Sequence, residues 1–228
     1  MNLRLSGISS MATRQLLAEL TDAWRSPDQD VVFESVGGVE AARRVKEGEV
    51  FDVVVLAADA IDKLVAAGRI VAGSRTDLVQ SGVAIAIRAG APRPAIDTEA
   101  ALRDAVLAAA SIGYSTGPSG VALQQLFERW GIADAIRERV VQAPPGVPVG
   151  SLIARGEVEL GFQQLSELIN VDGIDVIGPM PPGLEIVTTF SGGVCTASTR
   201  ADGARALLDY LRSSAAAEAK RRHGMEPA

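Results

Sequence analysis

Small hydroxyl residues and glycines recur in this sequence in short clusters that follow apolar runs. Ser9-Ser10 follows the first run, and Ser35 with Gly37-Gly38 follows the second. Ser115-Thr116-Gly117-Pro118-Ser119-Gly120 follows a run in the middle of the chain. Ala57-Ala58-Asp59 and Gln163-Gln164 stand in equivalent places. Residues of this kind ahead of a helix leave backbone N–H groups approachable, and the helix dipole adds about half a positive charge there. Several such ends converging would hold a small anion with few cationic side chains. Each cluster alone is accounted for more simply as a cap or a turn, so it is the recurrence that points to a ligand. Neither a GxxxxGK[ST] nor a GxGxxG phosphate motif is present.

Two arginines are candidates to hold a carboxylate. Arg75 lies in Gly73-Ser74-Arg75-Thr76-Asp77, where its guanidinium could bind a carboxylate in bidentate fashion or pair with Asp77. Arg88 closes an apolar run and reads as surface. Ser81-Gly82 follows Arg75 and is a place where a hinge and a ligand contact can coincide. Asp59 and Glu34 could act as acids or bases, but solvated or capping roles account for them more simply. Tyr114 can donate a hydrogen bond or pack. The single cysteine, Cys195, and the single histidine, His223, leave no material for an internal disulfide, a metal cluster or a Ser-His-Asp triad. No metal and no cofactor is expected. His223 follows Lys220-Arg221-Arg222 and suits a helix C-terminus.

The elements that must position these residues follow from periodicity. Strands are predicted over 3–6, 31–34 and 51–56, alternating with helices over 11–24, 40–46 and 60–66. That is the β-α-β-α-β-α pattern of a parallel sheet with crossover helices. Further strands are predicted over 83–88, 111–114, 140–141, 158–162 and 174–177. Between them come helices over 97–108, 121–130, 149–154 and 163–168, with a turn over 144–148. The last part reads as two strands, over 184–190 and 193–198, and two helices, over 201–211 and 215–223. This C-terminal segment can return to the first lobe, giving lobe one as 1–80 plus 188–228 and lobe two as 81–187. The crossings fall near 81–83 and 186–188. The fold class expected is α/β and two-lobed, each lobe a mostly parallel sheet with helices on both faces and a cleft between lobes. Ligands of such sheets bind outside the carboxyl ends of the strands, which is where the hydroxyl clusters fall.

With 47% of 228 residues hydrophobic but only 4% aromatic, the core must be built from Ala, Val, Leu and Ile. A net charge of −6 with scattered basic residues excludes the basic stripe of a nucleic-acid binder. No apolar run is long enough to span a membrane. The stretch from Met1 shows no basic segment followed by an apolar one, so no signal peptide is visible. The location expected is cytoplasmic as the sequence stands, and periplasmic if a signal peptide has been removed.

Taken together, several stretches resemble the molybdate-binding-protein-like branch of the type II periplasmic binding proteins. They are Gly7-Ile8-Ser9-Ser10, Ser35-Val36-Gly37-Gly38 with Arg43-Arg44, Glu47-Gly48-Glu49-Val50-Phe51-Asp52-Val53, and Leu64-Val65-Ala66-Ala67-Gly68-Arg69-Ile70. The resemblance covers nearly the whole chain and extends to the terminal helices around 206–216. It implies an oxyanion held by hydroxyls and backbone N–H groups at helix starts, with Ser9 or Ser10, Gly37 or Gly38, and Ser115 to Ser119 at the matching positions. It also implies a solute-binding role, with an ABC-transporter permease as partner. The sequence departs from the molybdate pattern at Gly37-Gly38, where serines are usual, and at Phe162-Gln163-Gln164, where a tyrosine is expected. Arg75, Ser81 and Gln163 suit a planar carboxylate better than a tetrahedral oxyanion. Gly73-Ser74-Arg75-Thr76-Asp77 and Gln163-Gln164 are also similar to a sub-branch with aconitate isomerase activity. That likeness implies an alternative function, isomerisation of an unsaturated tricarboxylate. Such a reaction needs a base to move one proton between carbons, and the sequence offers no obvious one.

Overall fold

The computed structural model describes residues 3–144 and 146–228. Met1 and the Pro145 of the expected 144–148 turn lie outside them. In chain order the elements begin with β1 (Leu3–Ser10), α1 (Arg14–Trp24), β2 (Gln29–Val36), α2 (Gly38–Glu47), β3 (Val53–Ala57), α3 (Ala58–Ala66) and β4 (Thr76–Arg88). Next come α4 (Glu99–Ala108), β5 (Ile112–Tyr114), α5 (Pro118–Arg129), α6 (Ala133–Ile136), β6 (Val140–Gln142), α7 (Val149–Ala154), β7 (Leu160–Gln164), α8 (Leu165–Leu168) and β8 (Ile174–Pro179). The chain ends with β9 (Val187–Val194), α9 (Ala201–Arg212), α10 (Ala217–Arg222) and β10 (Glu226–Pro227). Contacts divide it into two compact units, Met1–Ser81 with Thr188–Ala228, and Gly82–Val187.

In the discontinuous unit β1 pairs in parallel with β2 and β3, and β9 runs antiparallel to β3. All five residues of β3, Val-Val-Val-Leu-Ala, are buried, as a strand covered on both faces requires. Val53 and Val55 face one cluster, which includes Leu16, Leu20, Leu207 and Leu211 of α1 and α9. Val54 and Leu56 face the other, with Ala41 and Val45 of α2 and Ile61 and Leu64 of α3. The strand's period of two thus sorts the helices onto two faces.

The continuous unit is built the same way. β5 lies parallel to β6 and β7, and the later part of β4 runs antiparallel to both β7 and β8. Ile85, Leu160 and Phe162 pack with Leu102, Val106, Leu123 and Phe127 of α4 and α5. On the other face Ala84 and Ala86 meet Val149, Leu152 and Ile153 of α7 and Leu168 of α8.

Several elements differ from the expectation, the first two for a steric reason, and Gln163-Gln164, expected to open a helix over 163–168, instead close β7 in register with Val83 and Ala84. β1 does not turn at Gly7 but continues in register with β2 to Ser10, opposite Val36. A Cβ on Gly7 would come 2.4 Å from the Phe33 ring, so the glycine makes room for an aromatic and does not break the strand. The expected pair of strands around Ser191-Gly192 is one strand, β9, because Gly192 lies flat beneath Leu208, whose side chain would meet a Cβ at 2.4 Å. The stretch before 83, expected as a connection, is the start of β4, a strand of 13 residues. α6 and β10, both very short, had no counterpart in the expectation.

Candidate functional site

In the discontinuous unit the carboxyl ends of β1 and β2 bring Ser9, Ser10, Ser35, Gly37 and Gly38 together. Ser9 stands opposite Ser35 in the ladder, and their hydroxyls lie 2.8 Å apart. Ser9 Oγ also donates to the Ser10 carbonyl at 3.3 Å. That carbonyl accepts from the Thr13 hydroxyl too, which fixes the first turn after the strand. The Ser10 hydroxyl is buried and has no hydrogen-bond partner. Gly37 caps α2, and a Cβ on Gly38 would touch the Ser10 Cβ at 3.7 Å, so the start of α2 lies against Ser10. The first helical bond of α2 runs from Ala41 N–H to the Gly37 carbonyl, leaving the N–H groups ahead of it outside the helical ladder. Arg43 and Arg44 serve structure: Arg43 pairs with Glu40 and Glu47, while Arg44 pairs with Glu34 and Glu49 and stacks over Phe51. These bonds hold Glu34, Glu40 and Glu49 below the usual carboxylate range.

Arg75, just before β4, and Ser81, inside it, are not brought together. Arg75 immediately precedes β4 and Ser81 is six residues on, about 20 Å along an extended chain. The Arg75 guanidinium pairs with Asp62 at 2.8 Å and Asp77 at 3.2 Å, and Asp77 also accepts from the Ser191 hydroxyl at 2.5 Å. Arg75 therefore already has carboxylate partners. Ser81 is buried inside the strand, and its hydroxyl, like that of Ser10, has no partner.

In the continuous unit Ser115 follows β5, Gly117 caps α5, and Ser119 is buried in its first turn. A Cβ on Gly120 would come 1.8 Å from the Ser115 carbonyl oxygen, so only glycine lets the loop fold back this tightly. Tyr114 is structural: its ring packs on Phe127 at 6.3 Å and its hydroxyl accepts from Gln124 at 3.0 Å. Gln163 is wholly engaged inside the unit. Its amide oxygen accepts from the Val149 and Gly150 N–H groups at 2.8 and 3.4 Å, and its Nε2 donates to Glu167 at 2.7 Å.

Two residues of this unit were not anticipated. Glu167 is half-buried, and burial pushes its carboxyl up to about 7 against the smaller opposing effect of the Gln163 hydrogen bond. The hydroxyl of Ser166, its neighbour in sequence, is buried without a partner. The available signal was one carboxylate inside the otherwise uncharged stretch Leu160–Leu168.

The remaining candidates have structural surroundings. Asp59 is exposed beside Lys63 at 3.5 Å. Arg88 is exposed. The Cys195 thiol is pushed up to about 12, by burial first and then by Asp52. His223 Nε2 lies 2.8 Å from Glu19, which Arg222 and His223 together hold below its ordinary range. Among the described residues there is no cluster of three His, Cys, Asp or Glu that could hold a metal ion. No helix among them is long and apolar enough to cross a membrane.

Comparison with known proteins places this architecture. The periplasmic molybdate-binding protein of Azotobacter vinelandii superposes with a TM-score of 0.80 at 18% identity, over 97% of this chain and 98% of that one. A sulfate-binding protein from Mycobacterium tuberculosis superposes with a TM-score of 0.82 at 15% identity, over 100% of this chain and 88% of that one. At such identities these structures show the fold, which is that of the type II periplasmic binding proteins. An aconitate isomerase from a Pseudomonas species is 42% identical over 185 residues, 81% of this chain and 70% of that protein. The family model for bacterial extracellular solute-binding proteins matches residues 5–226. With nearly its whole length inside that match, the chain belongs to the bacterial extracellular solute-binding protein family.

Proposed function

We propose that the chain binds a small anion, a carboxylate rather than molybdate or tungstate, as a solute-binding protein of the ABC-transporter type. The observation that carries this reading is the Ser10 hydroxyl, buried and unpartnered against the start of α2. A buried hydroxyl without a partner costs roughly 1–3 kcal/mol. An anion accepting from Ser10 and from the first N–H groups of α2 would offset that cost. Ser9, Gly37, Gly38 and Ser81 belong to the same proposal, as do Ser115 and Ser119 of the continuous unit. Ser81 supports it with a second buried, unpartnered hydroxyl. Arg75 and Gln163 join it only if a ligand carboxylate replaces partners they already hold. Membership of an extracellular solute-binding family supports a periplasmic location and a permease partner.

The carboxylate preference rests on the departures at Gly37-Gly38 and Phe162-Gln163-Gln164, which remove hydroxyls that would suit a tetrahedral oxyanion. Titration calorimetry with trans-aconitate, citrate and molybdate tests it. The reading expects heat of binding from a carboxylate and a loss of about tenfold or more in affinity for Ser10→Ala, the scale of one hydrogen bond to a charged group. Undiminished affinity in that variant would remove Ser10 from the site.

A second reading is favoured by one observation, the 42% identity to an aconitate isomerase. On that reading the bound carboxylate is an unsaturated tricarboxylate, and the chain shifts its double bond. Fold alone does not separate binding from catalysis; turnover of cis- and trans-aconitate does.

A further inference from the structure

We infer that Glu167 is the base that carries the proton in an allylic isomerisation, with Gln163 as its positioning residue; this rests on the isomerase reading above. Such a reaction needs a carboxylate that is not neutralised by a cation. Most carboxylates near the strand ends fail that condition. Glu34 and Glu49 pair with Arg44, Asp62 and Asp77 with Arg75, and Asp59 with Lys63. A guanidinium or ammonium beside a carboxylate stabilises its charged form and makes it a poor base.

Glu167 is differently placed. It lies three residues past the carboxyl end of β7, in α8, which packs on β7 and α7 and, through Leu168, on Ala84 and Ala86 of β4; the charged residues of β4 are Asp77, which pairs with Arg75, and Arg88, which is exposed. Neither Leu160–Gln164 nor Val149–Ala154 contains an ionisable residue, and Glu167 is the only one in α8. No ion pair involves Glu167 among the described residues. Oε2 accepts from Gln163 Nε2 at 2.7 Å. The Gln163 amide cannot flip without loss, because its oxygen holds the Val149 and Gly150 N–H groups. Its NH2 end is therefore fixed toward Glu167. A carboxyl near 7 exists in both protonation states at neutral pH, as a group that first takes and then returns a proton must.

The step balances without a cofactor. The Glu167 carboxylate takes a proton from the CH2 carbon beside the double bond of the tricarboxylate. The C–H electron pair becomes the new C=C bond, and the old π pair moves to the far alkene carbon, delocalised into its carboxylate. The protonated Glu167 then returns the proton to that carbon. One C–H bond is broken, one is made, and no redox change occurs.

The test follows trans-aconitate turnover by NMR in the full chain, with circular dichroism and thermal unfolding to check the fold of each variant. Wild type should convert trans- to cis-aconitate, and Glu167→Gln should lower kcat about 100-fold or more while still being stabilised by trans-aconitate. Glu167→Asp should retain part of the activity. The wild-type rate should rise with pH through about 7. Gln163→Leu removes the donor that favours the carboxylate, so its rise should lie at higher pH. An active wild type with an equally active Glu167→Gln overturns the assignment of the base and leaves the isomerase reading standing. A wild type that binds trans-aconitate without turnover overturns both.

Discussion

Ser10 and Lys220, both buried, and Glu167, half-buried, are three polar groups whose chemistry can be tested one atom at a time. The Ser10 hydroxyl has nothing to bond to, so Ser10→Ala should hold or raise the unfolding temperature in the absence of an anion even as it weakens anion binding. A simple structural role would lower both. Glu167 makes stability depend on pH. Its folded-state pKa of about 7 lies above the unfolded value, so the neutral form is favoured by folding. Its contribution is complete below the ordinary carboxylate range and is lost as pH rises to about 7, an effect on the order of 3 kcal/mol. Glu167→Gln should flatten that slope in urea melts taken between pH 4 and 8. Lys220 is 1% exposed, lines an apolar cavity with Leu16, Leu20 and Leu211, and forms no ion pair among the described residues. Burial lowers its pKa, so the charged form penalises the fold at neutral pH. The penalty fades as pH rises through the depressed pKa. Lys220→Met should therefore stabilise the protein by about 1 kcal/mol or more at pH 7 and by less near pH 10. Equal effects at both pH values would contradict it.

At the scale of elements, steric fit decides what periodicity alone leaves open. Gly120→Ala would drive a Cβ into the Ser115 carbonyl, a backbone atom that cannot swing aside. It should cost roughly 3 kcal/mol or more, read as a lowered urea midpoint. Thr98 accepts from Ala101 N–H at the start of α4, so Thr98→Ala should cost about 1 kcal/mol. The start of α4, expected at 97 and observed just after Thr98, and the apolar run over 51–56 around β3 could be read from the sequence, because helix starts and apolar runs are written in local residue types. The helix over Val149–Ala154 was legible with both its ends. What escaped was set by distant partners. Gly7 looks like a turn until Phe33 is seen beside it, and Ser191-Gly192 looks like a hairpin until Leu208 is. The same holds at the candidate site. Hydroxyl clusters at strand ends show in the sequence, but the engagement of Arg75 by Asp62, the locking of Gln163 and the burial of Glu167 depend on residues brought in by packing.

For the whole molecule, the family and the fold leave two activities to separate, holding a carboxylate and rearranging one. Both require that a carboxylate bind, so binding is the claim to test first. The measurement is a thermal-shift comparison of the intact chain with trans-aconitate, cis-aconitate, citrate, molybdate, tungstate and sulfate at matched ionic strength. A ligand present at about 100 times its Kd adds about 2.7 kcal/mol to stability, a rise of several degrees for a chain of this size. The result predicted is a rise with one or more of the carboxylates and none with the tetrahedral oxyanions. A rise with molybdate, tungstate or sulfate alone would contradict it.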